Sequence, residues 1–195
     1  MAFDRVICKC GEEGDIRYGI VEGNDTIIFI KSGCEGTYDG KHQQYVKMAR
    51  RIHAARGYSV ITADNPADEW EPDMWDAPVI REYAEGKGFA DYALMLVGHS
   101  DGGDLILKLA TQFPQTKKIL GINPSSSGVD RQIEKLRMVA QVEKILVYGT
   151  KDDEYKDVPA LQAAQIENLR ILTVEGANHN FTDRTDEFIA QIDLL

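Results

Sequence analysis

The residues Gly98-His99-Ser100-Asp101-Gly102-Gly103 directly follow an apolar run at 92–97 and open a helical pattern at 102–113. They contain Gly-x-Ser-x-Gly, a pattern that places a serine in a sharp turn between a strand and a helix. Glycines two positions before and after the serine let the backbone close up without Cβ clashes. A chance match in a loop is the alternative, but 17 glycines among 195 residues make a copy in this context rare. The stretch predicts an α/β protein with a serine hydroxyl exposed above a strand end.

Short β-rich runs alternate with helical patterns along the rest of the chain. The predicted strands are 5–9, 16–21, 26–30, 59–63, 92–97, 117–122, 144–148 and 169–174, and the predicted helices are 43–56, 76–85, 102–113, 129–139, 159–164 and 184–192. The strand at 92–97 is apolar on both faces, as in a parallel sheet that helices cover on both sides. An antiparallel N-terminal portion followed by βα units predicts a mixed, mostly parallel eight-stranded sheet with helices on both faces, in a single domain over 1–195.

Composition excludes several classes of protein. The chain has 22 Lys+Arg against 32 Asp+Glu, a net charge of −10, with 43% hydrophobic residues. This is ordinary globular composition. Because the chain lacks the excess of cations that neutralises phosphates, we expect no nucleic-acid partner, and anionic membrane surfaces should repel it. The first residues carry no signal-peptide pattern and no apolar run is long enough to cross a membrane, so we expect a cytoplasmic protein. The sequence determines no oligomeric state.

The cysteines and glycine-rich turns predict neither a metal nor a cofactor. Three cysteines, an odd number, do not form a disulfide framework and fit a reducing compartment. Cys8 and Cys10 form a Cys-x-Cys pair, but no second pair or nearby histidine completes a four-ligand metal site. We interpret them as two small thiols in a strand, buried or half-buried. The turn at 98–103 lacks the Lys-Ser/Thr of a phosphate loop, and no Gly-x-Gly-x-x-Gly follows a strand in the N-terminal half.

A serine hydroxyl becomes a nucleophile only with a base to take its proton. The chain has four histidines. His53 falls within an amphipathic helical pattern, His42 lies near a helix start, and His99 adjoins the serine, so that its side chain should point away from the serine oxygen. His179 lies in the loop directly after the last predicted strand. It is the candidate base, and an exposed loop histidine is the alternative.

The third role is a carboxylate that holds the imidazole tautomer and stabilises the imidazolium. Asp152 and Asp153 lie in an acidic loop after the strand at 144–148, between the serine and the histidine along the chain. Such a loop is often only a solvated surface. Here, however, it lies at the carboxyl end of a strand, where ligands of α/β sheets bind. Asp152 is the candidate, and Asp153 is the adjacent alternative.

These pieces together resemble the α/β-hydrolase fold superfamily over nearly the whole chain. The matching stretches are Ser32-Gly33-Cys34-Glu35-Gly36, Gly-His-Ser-Asp-Gly-Gly at 98–103, Val147-Tyr148-Gly149-Thr150-Lys151-Asp152 and Gly176-Ala177-Asn178-His179-Asn180-Phe181. In the family a Gly-x-x-Asp loop supplies the acid, which selects Asp152 over Asp153. The resemblance implies a catalytic triad of Ser100, Asp152 and His179, in the order along the chain that the family uses.

The resemblance also implies an oxyanion hole of two backbone N–H groups. One belongs to Asp101, the residue after the nucleophile, at a helix N-terminus. The other belongs to Cys34, in the loop after the third strand, where this sequence has Ser32-Gly33 in place of the usual His-Gly. Cys34 as a rival nucleophile is disfavoured because it lies outside the strand–turn–helix motif. The implied reaction is attack of Ser100 on a carbonyl, with water later releasing the acyl group.

The loops indicate the kind of substrate. The connection at 123–129 is too short for a separate cap, so the resemblance implies a lidless serine hydrolase that cleaves a small ester or thioester, with an amide as the weaker alternative. Trp70, Met74 and Trp75 could line an acyl or leaving-group pocket, or they could pack beneath the acidic loop at 64–76. Acidic residues here and at 152–157 form a solvated face or, as the alternative, disfavour anionic substrates and so indicate a neutral one. The alternative function is a non-catalytic ligand-binding or interaction protein on the same fold.

Overall fold

Strands and helices alternate along the part of the chain that the computed structural model describes, residues 2–11, 14–66 and 72–195. The strands are β1 (Arg5–Gly11), β2 (Gly14–Val21), β3 (Asn24–Lys31), β4 (Tyr58–Ala63), β5 (Ala93–His99), β6 (Thr116–Ile122), β7 (Glu143–Gly149) and β8 (Leu169–Val174). The α-helices are α1 (Gln44–Arg56), α2 (Pro72–Gly86), α3 (Asp101–Ala110), α4 (Val129–Met138), α5 (Val158–Ala163) and α6 (Thr185–Ala190). Short 3₁₀ helices at Lys41–Gln43, Asp153–Asp157 and Gln191–Leu194 adjoin α1, α5 and α6.

All of these strands join one sheet, in the order β1-β2-β4-β3-β5-β6-β7-β8. β2 pairs antiparallel with both β1 and β4. Every other pair of neighbours in this order is parallel. The structure thus confirms the predicted mixed, mostly parallel eight-stranded sheet. The carboxyl ends of β3 and of β5 to β8 lie at one edge, so the loops that follow them meet there.

Helices cover both faces of the sheet, which explains why its central strands are apolar on both sides. On one face, buried side chains of α2 and α3 such as Ile80 and Leu109 pack against the sheet, together with residues of α4 and α5. On the other face, α1 and α6 contribute Met48 and Phe188. The two buried layers hold the strands in place. They form a rigid support for the loops at the carboxyl edge.

Two helix boundaries differ from the predicted ones by three residues or more. Helix α2 begins at Pro72, four residues before the predicted start. Proline is favoured at a first helical position because its missing N–H is not needed there. Helix α3 ends at Ala110, since Thr111 and Phe113 donate to carbonyls only three residues back, in turns rather than in a continued α-helix.

The described part of the chain contains neither a disulfide nor a helix long and apolar enough to cross a membrane. All three cysteines lie within this part and carry free thiols. Cys8 and Cys10 are exposed, so the prediction of buried or half-buried thiols is wrong, because they lie on the outer side of the edge strand β1. Cytoplasmic location stays a prediction.

Candidate active site

Ser100 lies in a strained turn between β5 and α3. Its backbone has φ 54° and ψ −129°, a conformation that costs a residue other than glycine about 1–3 kcal/mol. A Cβ at Gly98 would overlap the backbone of Gly102, so the turn closes only with glycine at that position. The Ser100 N–H donates to the Ile122 carbonyl at 3.1 Å, and the Ser100 carbonyl accepts from the Ser125 N–H at 3.1 Å. These contacts maintain the turn against its strain.

The structure brings together the three residues that the sequence proposes as a triad. His179 Nε2 lies 2.8 Å from Ser100 Oγ, and His179 Nδ1 lies 2.9 Å from Asp152 Oδ2. Because a carboxylate only accepts, Nδ1 carries the proton of the neutral imidazole, and Nε2 accepts from the serine hydroxyl. The other oxygen of Asp152 accepts the Glu154 N–H at 3.1 Å. Asp152 is buried and Asp153 is exposed, so the first of the two carboxylates has the geometry of a triad acid.

The surroundings of His179 favour its charged form. Its side chain is 35% exposed, whereas that of Asp152 is only 2% exposed. The hydrogen bond that His179 donates to Asp152 raises the pKa of His179 above the usual value, and partial burial opposes this rise. The negative charges of Asp152, Glu154 and Asp101 act in the same direction as the hydrogen bond. The imidazolium that forms when His179 takes a proton is therefore stabilised.

His99 is directed away from the serine oxygen, as predicted from its position. Its Nε2 lies 3.0 Å from the His179 carbonyl, and its Nδ1 lies 3.3 Å from the Tyr45 hydroxyl. Burial lowers the pKa of His99 to about 4, so the ring is neutral near pH 7. Since a carbonyl only accepts, Nε2 carries the proton and the Tyr45 hydroxyl donates to Nδ1. His99 thus holds the backbone of His179 in place through this hydrogen bond.

Asn123 and Ser125 are two site residues that sequence reasoning missed. Asn123 is fully buried, and its Nδ2 donates to the carbonyls of Asn178 and His179 at 3.1 and 2.9 Å. Its Oδ1 accepts the Gly149 N–H at 2.7 Å, so one side chain joins the ends of β6, β7 and β8. The Ser125 hydroxyl lies 3.2 Å from Ser100 Oγ. Because the Ser100 proton is directed to His179, Ser125 donates this bond.

The loop after β3 passes beside the nucleophile. A Cβ at Gly33 would lie 2.9 Å from Ser100 Cβ, so glycine permits the close approach. Ser32 occupies the position where the resemblance implies a histidine, and its Oγ lies 3.0 Å from the carbonyl oxygens of both Gly36 and Ala63. Its single proton is shared between these two acceptors. Its hydroxyl therefore stabilises the loop from within. The backbone N–H groups of Cys34 and Asp101 stay predicted oxyanion donors.

A buried ion pair lies beneath this loop. Lys31 Nζ is 2.9 Å from Asp76 Oδ2, and both side chains are inaccessible to solvent or nearly so. Lys31 also donates to the Asp64 carbonyl at 2.8 Å, and Tyr18 donates to Asp76 Oδ1 at 3.0 Å. Burial lowers the pKa of Lys31, while Asp76 opposes this shift. Removal of one partner of such a pair typically costs about 3–5 kcal/mol, so the network holds β3, β4 and α2 together under the site.

Ser100 and His179 open into a cleft of about 250 Å³. Cys34, Lys41 and Gln44 are among its other lining residues. Of the residues proposed as pocket lining, Trp75 packs against the hydrophobic core instead. Met74 is 68% exposed, and Trp70 lies outside the described residues.

Comparison with known proteins identifies the fold. No protein-family model matches the sequence, and no curated protein matches it. A putative alpha/beta hydrolase from Agrobacterium tumefaciens has a TM-score of 0.75 at 16% identity, covering 97% of this chain and 94% of that one. A lidless a/b serine hydrolase from Xanthomonas campestris has a TM-score of 0.69 at 14% identity, with 100% and 94% covered. The esterase domain of a Rhodothermus marinus protein has a TM-score of 0.64 at 15% identity, covering 97% of this chain and 95% of that one. The chain has the α/β-hydrolase fold, as predicted.

Proposed function

We propose that this protein is a serine hydrolase that cleaves a small carboxylic ester or thioester through a covalent acyl-enzyme. The observation that carries the proposal is the continuous chain of hydrogen bonds from Ser100 through His179 to Asp152, with distances of 2.8 and 2.9 Å. The same fold occurs in solved structures named as an esterase domain and a serine hydrolase, which supports hydrolase activity as the general class.

In the proposed reaction, Ser100 Oγ attacks the carbonyl carbon while His179 Nε2 takes the hydroxyl proton. Asp152 accepts the Nδ1–H and stabilises the imidazolium. The tetrahedral oxyanion accepts from the N–H groups of Cys34 and Asp101, each worth about 10²–10³ in rate. His179 then returns its proton to the leaving alcohol or thiol. A water molecule, activated by His179, attacks the acyl-enzyme and regenerates the free serine.

The size and charge of the site support a small, uncharged substrate. The cleft of about 250 Å³ is below the usual range for drug-sized ligands, about 300–1,000 Å³. The charges of Glu154 and Asp101 act on His179, and a negatively charged acyl group bound there would be repelled by the same field. Short acyl esters are therefore the first substrates to test.

Covalent labelling with a fluorophosphonate probe tests the nucleophile. The wild-type protein should gain one label per chain, and peptide mapping should locate it on Ser100 rather than on Ser125 or Cys34. Ser100→Ala should not be labelled. Ser126→Ala is the matched control, because Ser126 lies in the loop after β6 and its hydroxyl donates to the Gly128 carbonyl rather than to a proposed catalytic residue. Equal labelling of wild type and Ser100→Ala would contradict the assignment of Ser100 as the nucleophile.

Turnover separates an enzyme from a binding protein. A panel of p-nitrophenyl esters, thioesters and amides of increasing acyl length should show hydrolysis of the shortest esters or thioesters. His179→Ala should lower kcat by about 10⁴-fold or more. Ligand binding without turnover across the whole panel would favour the non-catalytic alternative.

A further inference from the structure

A pair of cysteines on the first hairpin lies far from the serine site. β1 is an edge strand, and β2, β4 and β3 separate it from β5. Successive side chains of a strand point to opposite faces, so Cys8 and Cys10 share one face. Both are exposed there, whereas Ile7 on the opposite face packs against the hydrophobic core. The two thiols are thus open to ligands from solvent.

The hairpin register brings a third donor to this pair. Across the antiparallel ladder, Cys10 is paired with Asp15 and Cys8 with Arg17. Directly opposed residues project from the same face of a sheet, so Asp15 lies beside Cys10. The two sulfurs are 3.9 Å apart, and each lies within 4.8 Å of an Asp15 carboxylate oxygen. Two thiols and a carboxylate therefore converge on one point of the surface.

The sulfur separation fits a tetrahedral metal ion. Zn–S bonds of about 2.3 Å in a tetrahedral site place two thiolate sulfurs about 3.8 Å apart. A disulfide fits less well, because residues two apart in an extended strand have Cα atoms about 6.6 Å apart, close to the upper limit of about 6.8 Å for disulfides. The strand therefore favours two thiol donors over a disulfide.

The charge of the cluster also favours a cation. Ionised donors at this spacing repel one another, and a bound cation would remove the repulsion. Arg17, the basic residue opposite Cys8, is directed elsewhere: its Nε donates to Asp64 at 3.0 Å and its guanidinium lies over the Tyr38 ring.

We propose that Cys8, Cys10 and Asp15 form a surface site for a thiophilic divalent cation, with Zn²⁺ as the first candidate. Thiolates select such ions over Mg²⁺ and Ca²⁺, which prefer oxygen ligands. Three protein ligands leave the fourth tetrahedral position to solvent. The site is independent of the proposed hydrolase reaction, because it lies four strands away from Ser100.

Titration with Co²⁺ tests this site, because tetrahedral Co²⁺ with thiolate ligands absorbs strongly. The full chain carries Cys34→Ser as the parent, so that only the two hairpin thiols remain of the three. The reduced, metal-free parent should bind one Co²⁺ per chain, with sulfur-to-cobalt charge transfer. Zn²⁺ should displace the cobalt, and Mg²⁺ should not.

Single substitutions assign the ligands. Cys8→Ser and Cys10→Ser should each abolish the charge-transfer band, and Asp15→Asn should weaken Co²⁺ binding about tenfold. Asp25→Asn removes an exposed carboxylate outside the cluster and should bind as the parent does. Circular dichroism checks that each variant is folded. The proposal is overturned if the absorption does not saturate near one ion per chain, or if it survives in Cys8→Ser. Any ester hydrolysis of the parent should be the same in all these variants, so failure here leaves the serine site unaffected.

Discussion

His99 precedes Ser100 in the chain and His179 lies within hydrogen-bond distance of it, and the two imidazole ring centroids are only 5.4 Å apart. Their surroundings nevertheless shift their pKa values in opposite directions. His99 is buried, and this burial lowers its pKa to about 4. His179 is partly exposed, and the hydrogen bond that it donates to Asp152 raises its pKa. The difference lies in burial and in charge, since His99 is buried with a neutral hydroxyl and a carbonyl as partners, whereas His179 contacts a carboxylate.

The comparison shows that burial and a carboxylate partner, rather than nearness to the nucleophile, separate a base from a structural histidine. A base must take a proton near neutral pH, which requires a pKa close to that range. The pKa of His99 is too low for this task, but its neutral ring can donate one hydrogen bond and accept another. It therefore links Tyr45 to the backbone of His179. His99 is therefore a structural support, and His179 is the proposed proton acceptor.

Asp152→Asn should change this comparison most, because it removes the partner that distinguishes His179. An amide at this position donates as well as accepts, and it favours the wrong imidazole tautomer. We expect kcat for a short ester to fall by about 10³–10⁴-fold. In the wild type, kcat/KM should rise with pH as His179 loses its proton, with a midpoint above about 6.5. In the variant this midpoint should move to lower pH, because burial then acts without the opposing carboxylate.

Asp153→Asn is the matched control for this experiment. It changes the adjacent carboxylate, which is exposed and which the sequence alone left as an alternative. We expect its rate and its pH midpoint to remain close to the wild-type values. An equal loss of rate in both variants would contradict the assignment of Asp152.

The fold and the three proposed catalytic residues were accessible from sequence for local reasons. The central strands contain short apolar runs, and each proposed residue lies in the turn or loop that follows a strand. In a parallel sheet such positions share one edge, so Ser100, Asp152 and His179 could be placed together without any knowledge of side-chain contacts. The glycines around Ser100 also indicate that the backbone of Ser100 is strained.

The supporting residues could not be found in this way, because their roles depend on contacts between distant loops. Asn123 bonds to residues 26, 55 and 56 positions away along the chain. Its only signal is an asparagine at a strand end, a residue type that tolerates its φ of 42°. Ser125 begins a run of three serines, and nothing in the sequence distinguishes it from the next two. Asp15 meets the cysteine pair only through the register of a hairpin.

Asn123→Ala tests whether His179 depends on its backbone support. The substitution leaves the Gly149 N–H and the Asn178 carbonyl without their side-chain partner, which costs about 1–3 kcal/mol for each buried group. His179 should then shift relative to Ser100, and a displacement of about 1 Å lowers rates by about 10²-fold. We expect kcat to fall by about 10–100-fold with little change in KM, measured at a temperature where the variant is folded.

Asn168→Ala controls for backbone strain in this test. Asn168 also has a positive φ, 55°, and its side chain donates to the Ala140 carbonyl, away from the serine site. It should lower the melting temperature without lowering kcat. If Asn123→Ala keeps the wild-type kcat while it is destabilised, the positioning role is wrong.

His99→Gln should have the smallest effect, and it should act on stability rather than on catalysis. Glutamine can donate one hydrogen bond and accept another, as the neutral ring does, so kcat should change by less than about tenfold.

The effect of His99 on stability should depend on pH. Because the pKa of His99 is about 4 in the folded state and about 6.5 in the unfolded state, His99 is protonated in the unfolded state first as the pH falls. The wild type should therefore lose about 1 kcal/mol of unfolding free energy relative to the variant between pH 7 and about 5.5. His179 acts with the opposite sign, since its raised pKa adds stability as the pH falls, but it is present in both proteins and cancels in the difference. Urea denaturation at the two pH values measures this difference, and an equal pH dependence of the two proteins would show that His99 is not held neutral by burial.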